Sequence, residues 1–67
     1  MKKLYIALLG KSSDKELVEQ HRIVYVVADS EKEAVALAKK KWKNSNVHID
    51  GIKKLEKVDG YRITLEK

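Results

Sequence analysis

The sequence predicts a small α+β domain of order β-β-α-β-β: a mostly antiparallel four-stranded sheet with one helix packed on one face. Three observations carry this. Two runs, LYIALL (4–9) and IVYVVA (23–28), are apolar throughout, and the second is rich in β-branched and aromatic residues. One stretch after them has a cap and a helical period. The last third alternates and contains an Asp-Gly turn signal.

The first strand is read over 2–9. Leu4, Ile6 and Leu8 point one way, Tyr5, Ala7 and Leu9 the other, and Gly10 ends it. Residues 11–20 form a polar loop that can hold a short helical turn at 14–19. The second strand spans 21–28. Ser30 and Glu33 then match a capping box, with Glu31 and Glu33 at the positive end of the helix and Lys39 to Lys43 at the negative end. Ala34, Val35, Leu37, Ala38 and Trp42 fall within an arc of roughly 160°. Lys41 projects near the middle of that arc and must reach past the helix end to water. Asn44-Ser45-Asn46 stops the helix.

In VHIDGI (47–52), Ile52 falls out of phase with Val47 and Ile49, and Gly51 is the natural place for a bulge that restores it. For the closing hairpin, a three-residue loop Val58-Asp59-Gly60 pairs Leu55 with Ile63 and Lys57 with Tyr61. It matches faces better than a two-residue Asp59-Gly60 loop, which sets charged residues opposite apolar ones.

Sixty-seven residues make one domain, 1–67. So short a chain buries only about 60% of the surface its unfolded form exposes, so small domains lean on disulfides, metals or oligomerisation. The chain has no cysteine, which removes disulfides and thiolate metal sites. The formal charge is +5, and Arg22 and Arg62 are the only arginines among the basic residues. Two lysines before LYIALL faintly resemble a signal peptide. The run is too short for a membrane span and lacks a small-residue cleavage site, so the protein is expected to be cytoplasmic with no membrane partner.

HRIVYVVADS, then a helix carrying Trp42, then VHIDGI and VDGYRITL together resemble the domain of unknown function 1543 family over about residues 4–65. The departures are local: a lysine-rich loop after Gly10, and Gly51 and Ile52 where the family more often has a serine and an aromatic. The resemblance implies the fold and supplies no functional residues. It also implies a module that occurs as one or two copies per chain, which fits a face buried against a second copy.

Three groups of residues are candidates for function. His21, His48 and Asp50 are the only residues that could begin a metal or acid–base site, but the spacing is no metal signature and they fit better as hydrogen-bonding residues at strand ends. Lys32, Lys39, Lys40 and Lys43 could meet nucleic acid phosphates with Trp42 stacking on a base, although Trp42 lies on the apolar arc and specific contacts favour arginine. The doubly apolar strands could form a self-association surface. Its candidates are Tyr5, Ala7 and Leu9 with Tyr25 and Val27, or the opposite set with Leu4, Ile6 and Leu8; alternatively the 11–20 loop covers that face with Leu17 and Val18. The expected function is an interaction or assembly module, a homodimer, that is not an enzyme and uses no cofactor or metal. A small basic nucleic-acid-binding protein is the alternative.

Overall fold

The computed structural model describes residues 1–11, 20–42 and 47–67. Among these residues run five strands and one helix: β1 (Lys3–Lys11), β2 (Gln20–Ala28), α1 (Glu31–Trp42), β3 (Val47–Leu55), β4 (Lys57–Val58) and β5 (Tyr61–Arg62). β1, β2 and β3 form an antiparallel sheet in the order β2-β1-β3. β4 and β5 make a separate two-stranded hairpin. The α+β class is as expected; a single four-stranded sheet is not what forms. β1 also continues through Gly10 to Lys11 instead of ending at the glycine.

The hairpin register explains the difference. Lys57 pairs with Arg62 and Val58 with Tyr61, so the loop is the two residues Asp59-Gly60. Both have positive φ, +53° and +84°, the conformation of a type I′ turn, whose twist suits paired strands. The Ile63 amide donates to the Glu56 carbonyl at 2.9 Å, extending that register. Matching of apolar faces favoured the longer loop. That criterion has little force here, because the hairpin stands clear of the main sheet and buries no face against it.

The helix starts as its sequence dictates. The Glu33 amide donates to Ser30 Oγ at 3.2 Å, and the Ala34 amide to the Ser30 carbonyl at 3.0 Å. The Glu33 carboxylate does not complete the box. It takes Lys2 Nζ at 3.4 Å, and Lys2 also reaches Asp29 at 3.4 Å. The start of β1 is thereby tied to the first turn of α1. The Lys2 ammonium, by hydrogen bond first and then by charge, holds the Asp29 carboxyl below its ordinary value of 3.8; the same hydrogen bond raises Lys2. At the other end Lys41 leaves the helix flank as anticipated, and its ammonium donates to the Tyr25 carbonyl on β2.

α1 settles which face of the sheet is covered. Tyr5, Ala7 and Leu9 of β1, Val26 and Ala28 of β2, Val47 of β3, and Ala34 and Ala38 of α1 form the buried core. Val24, Leu37, Trp42, Ile49 and Ile52 pack against it. Among the described residues, Leu9 is the one large side chain with no exposed surface. Trp42 is only half buried, and Arg22 lies over its ring at 4.9 Å from the centroid.

Two outcomes follow. Leu9→Ala should cost about 2–5 kcal/mol. That is a large part of the whole stability of a chain this size, roughly 3–10 kcal/mol, so urea titration followed by circular dichroism should find its midpoint far below the parent's. Asp29 binds its proton less readily when folded. Its contribution is therefore present above pH 3.8 and lost as the pH falls through the lowered value. The melting temperature of Asp29→Asn should lie below that of the parent at pH 7, and the gap should shrink below pH 3.8.

Candidate functional site

Cross-strand partners share a face of a sheet, so the register assigns every side chain. Opposite the helix, β1 presents Leu4, Ile6 and Leu8, and β2 presents Val27, Tyr25 and Ile23 beside them. β3 adds Leu55, Lys53 and Gly51. Ile23 and Tyr25 are 57% and 54% exposed, and Leu8 and Val27 are exposed too. This open face is what the two greasy runs make on the side that α1 does not cover. Tyr5, Ala7 and Leu9 cannot belong to it: they lie under the helix, in the core. Tyr25 and Val27 do belong to it, so the candidate interface set mixed two faces. Tyr5 pairs with Val26, and Tyr25 with Ile6. The reading in which the 11–20 loop covers this face falls largely on residues 12–19, outside the described residues.

At one end of the open face the structure brings His21, His48 and Asp50 together. His21 on β2 and His48 on β3 are both register partners of Gly10 on β1. A glycine in the middle strand leaves no side chain between them. Asp50 is the extra residue of a bulge: Ile49 pairs with Leu9 and Gly51 with Leu8, and Asp50 has no partner. Released from the ladder, its carboxylate bridges the two imidazoles. Asp50 Oδ2 lies 3.0 Å from His21 Nε2, and Oδ1 lies 3.0 Å from His48 Nε2. The bulge expected at Gly51 is thus one residue earlier, and it is what aims the carboxylate.

The arrangement is a hydrogen-bonded clasp between strands that are not neighbours. Each Nε2 lies at hydrogen-bonding distance from a separate carboxylate oxygen, so the contact engages both nitrogens and both oxygens. Among the described residues no group of three or more His, Asp or Glu is placed to hold a metal ion. Both imidazoles make a further contact besides this one. The three side chains are half exposed, so the clasp sits at the surface rather than in a closed chemical pocket.

The basic helix residues stay apart from this cluster. Lys32, Lys39 and Lys40 are exposed along α1, and Lys43 lies outside the described residues. Trp42 packs toward the core with Arg22 over its ring. Sequence reasoning missed the Arg22–Trp42 contact, the role of Gly10 and the basic pair Lys57 and Arg62. Gly10 was legible in principle, since a glycine inside a strand marks a close approach or a gap.

The sequence model of one family, described as a Domain of Unknown Function (DUF1543), matches residues 16–65. The chain belongs to the DUF1543 family. The DUF1543 match takes in β2, α1, β3 and the hairpin, with His21, His48 and Asp50, and leaves the central strand β1 outside. No curated protein and no solved structure matches the chain significantly. DUF1543 membership confirms the resemblance read from the sequence and assigns no activity. No helix of the described residues is long and apolar enough to cross a membrane.

If the clasp links β2 to β3, the histidines must be coupled to Asp50. Double-mutant cycles pairing Asp50→Ala with His21→Ala and with His48→Ala should each return about 0.5–1.5 kcal/mol of coupling by denaturant titration. Additive losses would mean that the contacts contribute nothing to folding.

Proposed function

We propose that this domain is an assembly module, acting as a homodimer without catalytic activity of its own, and that two copies meet through the open face. The observation that carries the reading is the exposure of that face: Leu8, Ile23, Tyr25 and Val27, neighbours on β1 and β2, all lie open to solvent on the side that α1 leaves uncovered. A specific contact between two copies would bury about 1,200 Å² or more in total.

The chemistry of the face supports the same reading. Among the paired central positions, from Leu4 to Leu8 and their partners, Lys53 is the only charged residue. Neighbouring side chains on β1 and β2 there are aliphatic or aromatic, as in the apolar centre of an obligate contact. An edge contact through β2 has less support, because Lys41 already occupies the Tyr25 carbonyl, a backbone acceptor that an added strand would need.

Nucleic-acid binding is the weaker reading. The exposed lysines of α1 would give the general attraction to phosphate that any basic surface gives. Trp42 packs toward the core with a guanidinium across its ring and is poorly presented for base stacking.

Gly51 makes the test clean. It lies on the open face as the partner of Leu8, and a Cβ built on it meets nothing within 4 Å. The fold therefore accepts a side chain there, and a face-to-face contact does not. Light scattering at about 10 µM protein, where mass action favours a stable dimer, should give twice the chain mass for the parent. Gly51→Glu should give the monomer mass with an unchanged circular dichroism spectrum. A monomeric parent at that concentration would overturn the reading.

A further inference from the structure

At the end of the open face, from its last row Leu4 and Leu55 outward, lies a cleft of about 790 Å³ between the start of β1 and the residues that follow β3. The volume is within the range of small-molecule sites, about 300–1,000 Å³. Leu4, Leu55, Ile63 and Leu65 give it an aliphatic wall; Lys57 and Arg62 line it too, with Lys2, Lys3 and Glu56, whose carboxylate is taken by Lys54. Lys57 and Arg62 are direct register partners in the hairpin. Like charges set opposite each other on paired strands repel. Among the described residues neither has an ion-pair partner, whereas Lys2 and Lys54 nearby are each matched to a carboxylate.

An unneutralised pair of cations beside an apolar wall is a local conflict that a ligand resolves if it brings one negative head and one hydrocarbon chain. We propose that this cleft binds an amphipathic carboxylate, its head between Lys57 and Arg62 and its alkyl chain along Leu4, Leu55, Ile63 and Leu65. The guanidinium of Arg62 can take the carboxylate with two parallel hydrogen bonds, and Lys57 adds a point charge. The site shares Leu4 and Leu55 with the open face but does not need the assembly reading.

The test uses decanoate as the probe, kept below its micelle concentration, with octanoate, decanol and decyltrimethylammonium as comparisons. Backbone amide shifts of the full chain are followed by NMR. Decanoate should shift Leu4, Leu55 and Ile63 saturably. Octanoate should bind about fifteenfold more weakly, each buried methylene being a factor of about four. Decanol should bind more weakly than decanoate, and decyltrimethylammonium should leave the cleft unperturbed. In Lys57→Glu/Arg62→Glu the affinity for decanoate should fall at least about tenfold, the loss of charge-assisted hydrogen bonds. Equal binding of the three ten-carbon head groups would overturn the proposal. So would shifts centred on Leu8, Ile23 and Tyr25, or no shift up to about 1 mM decanoate, where a small-molecule site of even weak affinity is half filled. These readings come from the unaltered chain, so they stand even if the double variant fails to fold, and the mass measurement for the dimer is unaffected by them.

Discussion

The contact between helix and sheet is built on alanine. Ala34 and Ala38 of α1, with Ala7 and Ala28 of the strands, are wholly buried, and among the described residues Leu9 is the only large side chain that is. Small residues let a helix sit close to a sheet, and that closeness decides which face α1 takes. It also limits what the contact can contribute, because hydrophobic stabilisation scales with apolar area removed from water, and alanine has little to remove. The domain is therefore held by a thin core on one side of the sheet. Leu4, Ile6, Leu8, Ile23, Tyr25 and Val27 are left on the other, with more apolar surface than several of the residues inside. The exposed apolar face and the thin core are two sides of one sheet.

How much of this was legible in the sequence differs by element. The helix was legible because its signals are local: Ser30 caps Glu33, and Ala34 and Ala38 lie one turn apart on the buried face. Strands β1 and β2 were legible as strands from their composition, but the face turned to α1 was not. Both parities are apolar, and residues 11–20 carry no pattern that fixes the turn. That ambiguity put Tyr5, Ala7 and Leu9 among the interface candidates together with Tyr25 and Val27. The hairpin register was misread for a different reason. Its Asp59-Gly60 dipeptide is a strong local signal for a type I′ turn, and it was outweighed by a face-matching argument that holds only for strands that pack on something.

The imidazole cluster lies between these cases. His21, His48 and Asp50 could be listed from the sequence because they are the only residues of their kind with suitable placement. Their geometry could not be read, since it depends on two non-local facts. One is that β1 lies between β2 and β3 with Gly10 at the shared position. The other is that the bulge falls on Asp50 and turns a ladder residue into a bridge. Within the family match, all three residues lie outside the central strand that completes the arrangement.

The contact from Lys41 to the Tyr25 carbonyl has a consequence for how association ends. IVYVVA has the features of a cross-β segment: six residues, uncharged, of high β propensity and without proline. It lies on β2, whose one strand neighbour is β1, so the other side of its backbone is a template for strand addition. Strand addition at an edge is a growth reaction: each chain that joins offers a new edge, and the product is a fibril. A two-fold contact between faces uses up the surface that made it and stops at two. With its ammonium on the Tyr25 carbonyl, Lys41 occupies at the edge of β2 a backbone acceptor that an added strand would need.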